Sequence, residues 1–186
     1  MRLLAAAALL LLAARSAHAQ AAPARAAATA RAAAGPVPAR AVLLEDIEQS
    51  RQNVLKYLDA APDSMLGYRP TPGVRTFAQQ IEHAAASNPY IVGEAWRMRP
   101  RLQPDSTATR TKAGLRALVV AAYDEFARMV REVPAAQLAA QGTAEGSTKT
   151  NWRWVATALD HATWTLGQTV PYLRANGVTP PQYLPF

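Results

Sequence analysis

Residues 111–133 most constrain what this chain can become. Leu115, Leu118, Val119, Ala122, Phe126, Met129, Val130 and Val133 recur at steps of three, four and seven, and Pro134 follows. That is the period of a helix with one face turned to a core, closed by a residue that cannot continue it. Three more segments carry the same period. Leu43, Leu44, Ile47, Val54, Leu55 and Leu58 predict a helix from about Val42 to Ala60, stopped near Pro62. Thr76 followed by Gln79 is a capping-box pattern, so a second helix is expected there, with Phe77, Ile81, Ala84, Ala85 and Ile91 on its apolar side. Pro89 lacks an N–H and crowds the carbonyl of Ala85, and is expected to kink that helix or end it early. A fourth helix starts near Asn151 and runs to the Asn176-Gly177 stop. No segment shows the period-two alternation of a half-buried strand, and 141-QGTAEGSTKT-150 reads as a small-residue link. The expected class is all-α, an up-down four-helix bundle with sites built from side chains projecting inward.

The first residues, MRLLAAAALLLLAARSAHAQ, have the form of a secretory signal: Arg2, the apolar run Leu3 to Ala14, then Ala17-His18-Ala19 as cleavage motif. Residues 1–19 are expected to be removed, and residues 20–40, rich in Ala, Pro and Arg, to form a disordered tether that buries too little to order itself. Residues 41–186 then form one domain. The expected location is the periplasm or the exterior, and the absence of cysteine leaves no disulfide to make there. No later stretch is long and apolar enough to span a membrane.

The net charge of +7 invites a nucleic-acid reading until it is divided along the chain. Five of the 20 basic residues, Arg2, Arg15, Arg25, Arg31 and Arg40, precede the domain with no acid among them, which leaves 15 basic against 13 acidic residues. Without a basic stripe or a recognisable module, no nucleic-acid partner is expected.

On the fourth helix Val155, Leu159, Ala162, Leu166, Val170 and Leu173 form the apolar arc, and His161 and Thr165 share one flank of it about 40° apart. Trp154, Gln168 and Tyr172 continue that stripe. After cleavage only His83, on the second helix, and His161 remain as histidines, and a bundle brings such positions together. Two imidazoles can hold zinc, nickel or copper, although zinc normally has three or four protein ligands. A pair of core histidines hydrogen-bonded to a neighbour satisfies the same pattern. Thr165 is a poor donor to a divalent ion.

The segment 66-LGYRPTPGVRTFAQQIEHAA-85 resembles the loop and second helix of the DinB-like family, where a Y-R-P turn leads into a helix carrying a metal-binding histidine. The segment 160-DHATWTLGQTVPYLRANGVTPP-181 is similar to that family's last helix. The resemblance covers most of residues 41–182 and implies a DinB-like bundle in which three histidines hold a divalent metal, at His83, His161 and position 165. Here position 165 is threonine, which leaves a degenerate two-histidine site. Pro171 is a second departure and is expected to bend the helix, because Gly167 loses a hydrogen-bonding partner. Characterised members imply a metal-dependent transferase or isomerase using a cofactor thiol. An exported member would lack a reducing thiol pool, which favours metal-assisted hydrolysis.

Two functions therefore stay open: a metal-dependent hydrolase or transferase of unassigned substrate, or a non-catalytic bundle that has lost the metal and binds a small ligand or a partner. Tyr68, Arg69 and the prolines beside them either shape the site entrance or simply make a turn. The tail GVTPPQYLPF is expected to pack over one end of the bundle. Trp164 falls on the outer side of the fourth helix, where a homodimer contact and an ordinary exposed aromatic are both open.

Overall fold

Three of the four predicted long helices form as single elements, and the fourth forms in two pieces. The computed structural model describes residues 37–103 and 107–185; the expected leader and nearly all of the expected tether lie outside the described residues. Helix α1, Arg40–Ala60, begins two residues before the expected Val42 and buries Leu43, Ile47, Val54 and Leu58 together with Ser50, Asn53 and Tyr57. Leu44 and Leu55, at the edges of that stripe, are only partly buried. Its first residue is clamped: the Arg40 guanidinium donates to the carbonyls of Val130 at 2.8 Å, Val133 at 2.7 Å, and Arg131. These carbonyls close the third long helix, α3, Lys112–Glu132, whose last turn leaves acceptors without helical partners.

Helix α2, Phe77–Trp96, opens with the predicted capping box. The Gln79 N–H donates to Thr76 Oγ1 at 3.2 Å, and the Thr76 N–H donates to Gln79 Oε1 at 2.9 Å. Of the two outcomes expected at Pro89, a kink or an early end, the early end does not occur, and α2 continues to Trp96. The physical reason lies beyond the proline. Ile91, Val92, Ala95 and Trp96 are all buried, and at roughly 1.5–3 kcal/mol for each large side chain they outweigh the ~3 kcal/mol a mid-helix proline costs. The Trp96 indole N–H also donates to the Asn151 carbonyl at 3.1 Å, fixing the end of α2 to the start of the last long helix.

Helix α3, Lys112–Glu132, starts at Thr111, whose Oγ1 accepts from the Gly114 N–H at 3.0 Å. A short helix α4, Ala135–Ala139, follows Pro134. The next segment corrects the sequence reading. Gln141–Ala144 and Ser147–Thr150 are strands β1 and β2 of an antiparallel hairpin, with Gln141 opposite Thr150 and Ala144 opposite Ser147. Its inward residues in β1 are Gly142 and Ala144, too small to register as an apolar alternation. At the turn, Glu145 (φ 49°) and Gly146 (φ 72°) both have positive φ, the mark of a tight primed turn. Gly142 has no room for a side chain, since a Cβ there would lie 1.9 Å from Asn151 Oδ1 and 2.5 Å from the Ala95 carbonyl oxygen. The Trp154 indole N–H donates to the Gly142 carbonyl at 3.0 Å, so the hairpin is tied to the bundle from below.

The expected fourth helix is two: α5, Asn151–Gly167, and α6, Thr169–Ala175, with the break at Gln168. Pro171 falls in the first turn of α6, where no N–H is needed, and the break meets the expected bend. Past Asn176, the Gly177 N–H donates to the Arg174 carbonyl and the Val178 N–H to the Leu173 carbonyl, a complete Schellman stop.

Around the bundle α2 packs chiefly on α5 and α3, and α1 on α3 and α5. The order is therefore α1, α3, α2, α5, because the 61–76 and 133–150 links cross the bundle rather than joining immediate neighbours. Leu58, Phe77, Ile81, Leu115, Phe126 and Trp154 are among the fully buried side chains at its centre. The tail runs along the side of the bundle instead of capping an end: Asn53 makes two hydrogen bonds to the Leu184 backbone, at 2.7 and 3.1 Å, and Tyr183 meets Thr163 at 3.1 Å. Among the described residues no helix is long and apolar enough to cross a membrane.

Candidate functional site

The most extensive helix pair, α2 on α5, carries a polar row through its interface. Gln80 and His83 stand one turn apart on α2, and Ser87 one turn further. His161 and Thr165 stand one turn apart on α5, and Gln168 sits at its end. The rows meet in pairs: Gln80 Nε2 donates to Gln168 Oε1 at 2.8 Å, and His83 Nε2 faces His161 Nε2 at 3.2 Å. The imidazoles lie edge to face, with centroids 4.8 Å apart and planes at 82°. His83 Nδ1 is held by Ser87 Oγ at 3.0 Å, which fixes the ring. His161 Nδ1 is buried and has no hydrogen-bond partner among the described residues.

The fold thus brings together His83 and His161, the two histidines named from sequence, and places Thr165 one turn away, 2% exposed. Both rings are held neutral. Burial is the main cause at His83, followed by the positive charge of Arg75 and then His161, and its pKa falls from 6.5 to about 4. His161 is lowered as well, first by burial; Glu145 and Asp160 pull it up and Arg75 pushes it down.

Two imidazole nitrogens each 2.0–2.1 Å from one ion at a near-tetrahedral angle would be roughly 3.3 Å apart. The observed 3.2 Å fits a shared ion as well as it fits an N–H···N hydrogen bond, in which only one Nε2 carries the proton. The donor chemistry fits in part. Among the described residues no group of three or more His, Cys, Asp or Glu side chains could hold an ion, and the Thr165 hydroxyl is a weak ligand. The residues present fit an ion with two protein donors and open positions.

Beside His83 opens a cavity of about 610 Å³, within the usual size of small-molecule sites. Arg75, Glu82, Tyr90, Glu94 and Glu145 line it with His83. The hairpin tip is fixed at this mouth, since the Glu145 N–H donates to Glu94 Oε1 at 3.1 Å. Arg75 also lines a second cavity of about 650 Å³, with Pro70, Gly73, Gln80, Gln168 and Tyr172. The Pro-rich loop therefore does face an opening, through Pro70 and Arg75. Tyr68 instead packs edge-on against Tyr172, with centroids 6.1 Å apart.

A family model described as the DinB superfamily matches residues 46–168, from within α1 to beyond the end of α5, and so spans both histidines. The chain belongs to the DinB superfamily. Two crystal structures show the same fold. A DinB-like protein from Bacillus cereus superposes with a TM-score of 0.61 at 20% identity, over 76% of this chain and 95% of that one. The DinB-like protein YjoA from Bacillus subtilis gives 0.63 at 13% identity, over 77% of this chain and 99% of that one. A search of curated proteins returns no match. At these identities the likeness speaks for the fold, and the expected all-α DinB-like architecture holds, with the hairpin as an addition to it.

Arg75, Glu82 and Glu145 were not singled out from the sequence as site residues. Arg75 stands just before the Thr76 cap in a segment dominated by turn residues. Glu145 stands before Gly146, and this Glu-Gly pair between Thr143 and Thr148 was the available hairpin signal.

Proposed function

We propose that this DinB-like domain holds a divalent ion, zinc or nickel, between Nε2 of His83 and Nε2 of His161, and that so loaded it carries out metal-assisted hydrolysis or group transfer in the periplasm or outside the cell. One observation carries the reading: two imidazoles 78 residues apart in sequence turn the same nitrogen toward each other at 3.2 Å. A bound ion would supply Lewis acidity. The chain's own part is to keep both imidazoles neutral, with lone pairs available at neutral pH, and to fix the His83 ring through Ser87. The α2–α5 packing behind them excludes water, and the cavity in front admits a substrate.

Calorimetric titration of zinc and nickel into the full chain tests this, beside His161→Ala and Thr165→His. Micromolar binding that weakens at least about tenfold in His161→Ala and tightens in Thr165→His is the expected result. If the native chain binds no ion, the proposal fails. Should Thr165→His alone then bind, a second reading takes over, in which the bundle has kept the geometry, lost the ion, and serves as a small-ligand or interaction module. The burial of Thr165, a poor ligand, at the third position favours that reading.

A further inference from the structure

The cavity beside His83 carries a charge pattern that the histidine pair does not require. Three carboxylates line it: Glu82 and Glu94 on α2, and Glu145 at the hairpin tip, against a single guanidinium, Arg75, among the described lining residues. Elsewhere on the domain Glu48, Asp59, Asp124, Glu125 and Glu132 pair with arginines. None of the three cavity carboxylates joins an ion pair among the described residues; the one contact is Glu94 accepting from the Glu145 backbone. Unpaired carboxylates at the edge of a cavity repel anions and are relieved by a cation.

The rest of the wall is of another kind. Ala86, Ile91, Leu102 and Leu118 present hydrocarbon to the same cavity, and Tyr90, 43% exposed, lines it as well. Glu145 also holds a backbone conformation (φ 49°) that asparagine, aspartate and glycine adopt more readily. The longer side chain found there reaches the cavity.

We propose that the cavity selects an organic cation, an ammonium group on a short apolar body, with the ammonium among the carboxylates of Glu82, Glu94 and Glu145 and the hydrocarbon along Ile91, Leu102 and Leu118. The inference deepens the functional reading above and rests on its choice of this cavity as the substrate side of the site.

Hexyltrimethylammonium and hexanoate, six-carbon chains with heads of opposite charge, are the probes. Each is titrated into the full chain in chelator at low salt, and into the doubly substituted Glu82→Gln/Glu145→Gln chain, whose melting temperature is recorded alongside. The ammonium is expected to bind at least about tenfold more tightly than hexanoate, and to lose most of that margin in the substituted chain while hexanoate gains. Equal or tighter binding of hexanoate, or ammonium binding that the substitutions leave unchanged, overturns the proposal. Zinc uptake without ammonium binding overturns it and leaves the ion reading standing. Ammonium binding by a chain that takes up no zinc does the reverse.

Discussion

An imidazole packed in its neutral form ties folding to pH. The unfolded chain protonates His83 near its ordinary 6.5, whereas the folded chain does so only near 4. Between those values the unfolded state holds more protons, so this contribution to stability is complete above 6.5 and is lost as pH falls through the window. His161, lowered too, acts in the same direction. The melting temperature in chelator should therefore drop between pH 6.5 and 4, with a smaller drop in His83→Gln. Parallel curves for the two chains would assign the acid sensitivity elsewhere. His83 and His161 were legible in the sequence because each is a lone imidazole on a helix with a readable face. Arg75 and Glu145 were not, because their influence on those rings passes through space between segments with no common period. Thr165 was legible as an exception only against a pattern from related chains; taken alone, a threonine on a helix flank carries no signal.

Among the elements, those whose ends are written in local chemistry were the most legible. The Thr76-Gln79 box and the Asn176-Gly177 stop both form as read. The early end expected as one outcome at Pro89 does not occur because the buried residues beyond it outweigh a local cost, and the hairpin was missed because its inward positions are Gly142 and Ala144. Arg40 was assigned to the tether from composition, yet its guanidinium closes α3. Arg40→Ala removes charge-assisted bonds from three carbonyls at a helix end and should lower unfolding free energy by about 1.5–3 kcal/mol. Urea denaturation checks this, and a loss below about 0.5 kcal/mol would show that water replaces the guanidinium without penalty.

At the level of the whole molecule, apolar stripes establish that four helices share a core without saying which are neighbours. The α1, α3, α2, α5 order emerges only from packing, and with it the α2–α5 contact that brings the two histidines together. The same packing leaves a groove between α1 and α5 in which the tail lies, answering both polar atoms of the Asn53 side chain, itself 1% exposed. Deletion of residues 182–186 should cost about 1–3 kcal/mol in the same assay. A truncated chain as stable as the native one would mean the tail is merely laid on the surface. The hairpin, finally, is anchored at its base and free of core duties at its tip. Residue 145 can therefore be exchanged without a penalty in packing, and a lineage of such bundles could change what its members admit by altering one turn while the helices stay as they are.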